Sequence, residues 1–315
     1  MPAISTRDLT KDYGSLRAVD GLSFEVAEGE VYALLGHNGA GKSTTVEILE
    51  GHRTRTSGVV TVLGHDPGRA GREFRDRIGI VLQTSGVEHE LSVAEAVGIY
   101  GSSYRTRRDV REVVDLVGLT PQLDQRVGHL SGGQRRRLDL AMGIVGTPDL
   151  LFLDEPTTGF DPAARRQAWE LIRGLCSGGA TVLLTTHYLD EAEHLADRVG
   201  VMVAGRLVAE GTPEELIGRS GTTRIRFELP AATTVADVAV LGGWTGVAVT
   251  DGHVDLTTAH PTSDLHALTT WAVARGIELT GLSVSRPTLE DVFLGLGHEA
   301  PATTTAHDAS AEARP

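Results

Sequence analysis

The stretch "GHNGAGKST" at residues 36 to 44 sets three glycines ahead of a lysine and two hydroxyls. It satisfies G-x-x-x-x-G-K-[ST], in which backbone N–H groups close around phosphate oxygens at a helix N-terminus. Gly36, Asn38, Gly39, Ala40 and Gly41 would shape the cradle, and Lys42 would reach the β- and γ-phosphates. Ser43, next to Thr44, would place its hydroxyl on Mg²⁺. Composition alone yields such a pattern in about one chain in a hundred of this length, so the loop needs company before it identifies a reaction.

The company is a run of apolar residues, "LLFLDEP", ending in paired carboxylates. A buried strand here would present Asp154 and Glu155 at its C-terminal end, the edge at which open α/β sheets bind ligands. Asp154 would then join the metal's shell, and Glu155 would polarise the attacking water as general base. The plain alternative, an acidic pair opening a turn before Pro156, is disfavoured by the upstream phosphate loop. Gln83 ends the strand "GIVLQ" and His187 ends "TVLLTTH". A lone Gln or His in such a place is usually structural, but both follow buried strands at the same edge, so both are assigned to the site.

A third motif, "LSGGQRRRLDL" at residues 130 to 140, puts Ser131, Gly132, Gly133 and Gln134 ahead of a helical pattern. Its first five residues occur by chance in roughly one chain in five thousand, and together with the loop they exclude coincidence. Paired glycines before a helix remove side chains from whatever approaches its positive end.

The elements that must hold these residues alternate as an α/β domain does. "LSFEVAEGEVYALLG" reads as strand, turn and buried strand, and "KSTTVEILEGH" reads as the helix after the loop. Helical periodicity follows from "LSVAEAVGIY", where Ser92 and Glu95 have capping-box spacing, and marks a helical subdomain over about 84–145. "DLLFLDEP" and "ATVLLTTH" then read as parallel strands around the helix "AARRQAWELIRGL", and "RVGVMVAGRLVAEG" as a strand pair. "TPEELIG" is a helix capped by Thr212 and Glu215 that closes a first domain, 1–218.

A second domain, 222–296, reads β-α-β-β-α-β, the order of a small ferredoxin-like domain, with Asp251-Gly252 turning the central hairpin and "IELTGLSVS" as the last strand. Residues 297–315 lack large apolar groups and read as a disordered tail.

Composition narrows the function. Hydrophobic residues make up 40% and charged residues 23% of 315, ordinary for a globular protein with a sizeable core. The net charge of -13 argues against broad nucleic-acid binding, and the arginines at 105, 107, 108, 111 and 135 to 137 read as solvated helix faces. No apolar run reaches spanning length, and no secretory leader is read at the N-terminus. The single cysteine, Cys176, forms no intrachain disulfide, which with the missing leader favours the cytoplasm.

Together, the phosphate loop, "LSGGQ", "LLFLDEP", "TTGFDP" and "LLTTH" resemble the nucleotide-binding subunits of ATP-binding-cassette (ABC) transporters over residues 4 to about 217. The resemblance implies a P-loop NTPase fold with a mixed sheet core and a helical subdomain, followed here by a small α+β domain. It implies ATP and Mg²⁺ as ligands, and a second copy of the chain packed head to tail, so that Ser131 to Gln134 of each copy meet the ATP of the other. By the same resemblance Tyr13 would stack on adenine and His187 would hold the γ-phosphate. Asp161 would cross the dimer interface, and Gln83 would join the metal shell and link the site to a membrane partner. Phe160 stands where the family usually has leucine, a difference at the interface.

"SRPTLEDVFLGLGHE" resembles the end of daunorubicin- and doxorubicin-resistance-type ATPase subunits, although Leu289, Val292, Phe293 and Leu296 also fit a plain amphipathic helix. The expected function is an ATP-hydrolysing subunit at the cytoplasmic face of the membrane. It would energise export of a drug-like or other hydrophobic or amphiphilic substrate through a separately encoded permease, with no nucleic acid as partner. The competing readings are a soluble ABC ATPase acting on nucleic acid or the ribosome, and the ATPase of an importer.

Overall fold

Two long strands open the chain, β1 (Ile4–Tyr13) and β2 (Leu16–Val26), followed by β3 (Val31–Gly36), α1 (Lys42–Leu49) and β4 (Ser57–Val62). The computed structural model describes residues 1–81, 86–219, 221–229, 233–286, 288–290 and 292–293. Next come α2 (Arg72–Arg77), β5 (Ile78–Val81), and the helices α3 (Val93–Gly101), α4 (Val110–Leu116) and α5 (Gly132–Ile144). The chain then returns through β6 (Leu150–Asp154), α6 (Pro162–Ser177), β7 (Thr181–Thr186), α7 (Leu189–Leu195), β8 (Arg198–Val203), β9 (Arg206–Gly211) and α8 (Pro213–Arg219). Beyond it lie β10 (Thr223–Glu228), α9 (Val235–Ala239), β11 (Trp244–Thr250), β12 (His253–Thr258), α10 (Pro261–Ala274) and β13 (Ser283–Ser285).

Among the described residues the strands form a six-stranded sheet, β5-β6-β7-β3-β8-β9, and an antiparallel sheet, β2-β1-β4. Neighbours in the six-stranded sheet are parallel except β8 and β9. Its central strands are covered on both faces. Tyr32 and Leu34 of β3 share a core with β1, β2, β4 and α1, while Val31, Ala33 and Leu35 face the core built with α3 to α7. In β6, Leu150 and Phe152 take the first side and Leu151 and Leu153 the second. Burial on both faces is why these strands read as continuous apolar runs, and each such side chain contributes about 1.5–3 kcal/mol.

The capping boxes expected at Ser92/Glu95 and at Thr212/Glu215 are formed, with both reciprocal bonds present in each. The C-terminal strands make their own sheet, β11-β12-β10-β13, with all neighbours antiparallel and a separate core of Ile225, Phe227, Val254, Leu256, Leu268 and Trp271. Its hairpin turns at Asp251 and Gly252, both with positive φ, which is the conformation of a type I′ turn.

The last strand is shorter than the sequence suggests. Gly281 at φ +67 turns the chain just before strand pairing begins at Ser283, so residues 277–280 are not part of the strand, although the Thr280 carbonyl accepts from the Glu228 N–H at 2.9 Å. The expected tail, 297–315, and Leu296 lie outside the described residues.

Candidate nucleotide site

Strand β3 ends at Gly36 and α1 begins at Lys42, so the phosphate loop hangs between a buried strand and the positive end of a helix. Gly41, at φ +98, lies against β2: a Cβ there would come within 2.3 Å of the Ala18 carbonyl oxygen. Only glycine lets the loop close at that point. The buried Lys42 ammonium donates to the carbonyls of Gly36 at 2.6 Å and His37 at 3.2 Å. Burial pulls its pKa below the ordinary lysine range, opposed by the nearby charges of Glu155 and Asp154. Ser43 is exposed and Thr44 half-buried.

Strand β6 delivers the two carboxylates. Asp154 is in register with Thr185 of β7, whose hydroxyl donates to Asp154 Oδ1. One residue on, Glu155 takes φ +49, a left-handed conformation costing a non-glycine residue about 1–2 kcal/mol. Its N–H is held by the Thr185 carbonyl at 2.9 Å, which keeps the backbone turned. The side chain then meets His187, with Oε1 at 2.8 Å from Nδ1, while Oε2 accepts from the Thr158 hydroxyl at 3.4 Å. Gly36, Asn38, Glu155 and His187 all line one cavity of about 780 Å³, with Lys42 at its edge through its bonds to Gly36 and His37.

Arg136 departs from expectation. The sequence offered it as part of a solvated basic run, yet it is buried and its guanidinium donates to the carbonyls of Asp154, of Glu155 at 2.7 Å and of Pro156 at 3.2 Å. One side chain of α5 thereby fixes the backbone of the whole carboxylate turn. Desolvation draws its pKa down, with Asp139 and the two site carboxylates opposing.

The second motif sits at the start of α5. Ser131 caps the helix, accepting from the Gln134 N–H at 3.3 Å, while the Gln134 side chain accepts from the Ser131 N–H at 2.9 Å. Gln134 thus has an intrachain role beside the nucleotide contact that the resemblance implied. Among the described residues beyond its own helix backbone, a Cβ at Gly132 would meet no atom within 4 Å.

Asp161 Oδ1 accepts from the N–H groups of Ala163 and Ala164, both at 2.9 Å, capping α6. Those backbone bonds hold its carboxyl below the usual range. Phe160 is buried on Ala164 and Ala168 of its own chain. Tyr13 is exposed at the end of β1, between the cations of Lys11 and Arg53. Gln83 lies outside the described residues.

The family model for the ABC transporter matches residues 19–158. Along nearly its whole length the chain is also similar to the daunorubicin/doxorubicin resistance ATP-binding protein DrrA of Streptomyces peucetius, with 40% identity over 98% of this chain and 97% of that one. The chain belongs to the ABC transporter ATP-binding family. This ABC ATPase is 46% identical to the Nod factor export ATP-binding protein I of Rhizobium meliloti over 68% of its own length and 66% of the relative's. A solved structure of the ATP-binding subunit of an ABC transporter superposes with a TM-score of 0.64 at 26% identity, covering 70% of this chain and 93% of that one. The extra domain matches a model of the C-terminal domain of ABC transporter domain-containing proteins over residues 223–288. The ABC ATPase therefore binds and hydrolyses ATP, with a cassette fold followed by a smaller C-terminal domain.

Proposed function

We propose that this ABC ATPase works as a head-to-tail pair of identical chains that energises export of a drug-like or other hydrophobic or amphiphilic compound through a separately encoded permease. The observation that carries the pairing is the open space over Gly132. Among the described residues no packing contact needs a glycine there, whereas a triphosphate held by another copy would need both the clearance and the helix end behind it. The direction of transport is supported by the two relatives named for drug resistance and for Nod factor export.

In this reading the phosphate loop and Lys42 bind the triphosphate, and Tyr13 stacks on the adenine. Glu155 takes a proton from the attacking water at a carboxylate oxygen, while a doubly protonated His187 would donate from Nδ1 to Oε1 and from Nε2 to a γ-phosphate oxygen. Among the described residues no group of three or more His, Cys, Asp or Glu could hold a metal, and Mg²⁺ requires none, because it keeps its waters and shares the phosphates. The exposed Ser43 hydroxyl and the Asp154 carboxylate are hard oxygen donors that suit it, with Gln83 as a further one. Bound there, Mg²⁺ would neutralise charge between the β- and γ-phosphates.

No helix among the described residues is long and apolar enough to cross a membrane. The permease is placed on two adjoining grooves of about 510 and 330 Å³ that share Ile80 and Tyr100, at the join of α3 with the sheet. Ile99 and Tyr100 stand exposed there. Residues 222–296 are read as a ferredoxin-like accessory domain. The test is to purify the complex from gently solubilised membranes and identify its chains by mass spectrometry. A polytopic partner without a soluble binding protein is the expected result, and recovery with ribosomal or nucleic-acid components would overturn the transport reading.

The buried Glu50, at the floor of the larger groove, supplies a pH prediction. Burial first, then repulsion from Asp154 and Glu47, pushes its carboxyl from 4.5 up to about 8. The folded chain thus keeps a proton that the unfolded chain releases, so stability is fullest below the unfolded value and declines as pH rises to the folded one. Glu50→Gln, which mimics the protonated acid, should flatten that decline between about pH 5 and pH 8 in urea unfolding. An unchanged slope in the variant would contradict the assignment.

A further inference from the structure

The C-terminal domain does not end as a free appendage. Leu289, four residues beyond β13, is buried in the core of the first domain, and its N–H donates to Glu193 Oε1 at 2.6 Å. Phe293 joins the same core and lays its ring on that of His37, with centroids 4.5 Å apart. His37 is part of the phosphate loop, and Glu193 lies on α7, which starts two residues after His187. Glu290 and Phe293 line the cavity that also holds Glu155 and His187.

Helix α7 is gripped from its other side as well. Glu191, fully buried, accepts from the Thr157 hydroxyl at 2.8 Å and from the Trp169 indole N–H at 3.3 Å, tying the helix to the turn after Glu155. The loop that carries His187 therefore leads into a helix whose position is set by the carboxylate turn on one side and the C-terminal segment on the other. That segment also touches the phosphate loop, so it spans the two walls between which a γ-phosphate would sit.

We propose that the turn carrying Leu289 and Phe293 is a positioning element of the nucleotide site, holding the phosphate loop at His37 and the α7 end of the His187 loop at a fixed separation. Phe293 and Glu193 are positioning residues in this scheme, acting through His37 and His187. The inference rests on the reading of His187 as the γ-phosphate contact, and it makes a prediction that mere structural support does not: these residues matter for ATP and not for ADP, because only ATP has the phosphate that His187 meets.

The experiment measures binding of ADP and of a non-hydrolysable ATP analogue to the full chain, together with steady-state ATP hydrolysis. Phe293→Ala and Glu193→Ala should weaken the analogue about tenfold, the loss of one charge-assisted hydrogen bond, with ADP binding held within about twofold and kcat reduced. Phe293→Tyr, which keeps the ring, and Glu193→Gln, which keeps an acceptor, should restore the preference for ATP. His187→Ala should narrow the same preference, and adding Phe293→Ala to it should narrow it no further. Equal losses for both nucleotides, or an unchanged preference in Phe293→Ala while His187→Ala narrows it, would overturn the inference alone. An unchanged preference in His187→Ala would overturn the reading of His187 and the inference with it.

Discussion

Glu155→Gln should lower ATP turnover by a factor of about a hundred to ten thousand while leaving ATP affinity intact, as expected when a general base is removed. The amide keeps the size of the side chain and an oxygen for the His187 Nδ1 proton, so the geometry of the 2.8 Å contact survives. What is lost is the ability to take a proton from water. The backbone needs no change either, since the positive φ of Glu155 is held by the Thr185 carbonyl and by Arg136 from below. ATP then binds without being consumed, and the paired form should accumulate, visible as a doubled mass in light scattering when ATP is present. A variant that releases phosphate at an undiminished rate would show that Glu155 is not the base.

Gly132→Asp should have a comparable effect by an opposite logic. A Cβ at that position meets nothing among the described residues beyond its own helix backbone, and an aspartate in the first turn of α5 favours the helix dipole. The folded monomer should therefore keep its unfolding midpoint and its affinity for ATP. Across the pair, however, the new carboxylate would face a γ-phosphate, and hydrolysis should fall by a factor of about a hundred or more, the cost of replacing an attractive site with a like charge. A substitution that leaves stability untouched and removes activity separates an intermolecular role from an intramolecular one. Full activity in this variant would mean that the glycine pair has no partner.

The parts of this site that were legible in the sequence are those fixed by local backbone chemistry. The phosphate loop announces itself because glycines, lysine and hydroxyl must follow one another within a single turn. The carboxylates do so because a strand buried on both faces has no polar residue until it leaves the sheet at Asp154. Arg136 was missed because three consecutive arginines look alike as a string. On α5 they point in directions about 100° apart. Arg136 shares the buried side with Asp139 and Leu140, three and four residues on, and that spacing was the available signal.

Asp161 was read only through the resemblance, although Pro162 after it is the ordinary mark of an aspartate capping a helix. The contacts of Leu289 with Glu193 and of Phe293 with His37 join residues about a hundred and about 250 positions apart, and no periodicity reports such a meeting.

The claim that joins these pieces is that each ATP is hydrolysed between the phosphate loop of one copy and the serine-glycine-glycine segment of the other. It is tested most directly by mixing two inactive chains, Lys42→Ala and Gly132→Asp, and measuring phosphate release. Random pairing gives mixed dimers in which one site has an intact loop from the Gly132→Asp chain and an intact segment from the Lys42→Ala chain. The account predicts that activity returns on mixing, to about a quarter of the wild-type rate at equal amounts if sites act independently. A mixture as inactive as its components would contradict it.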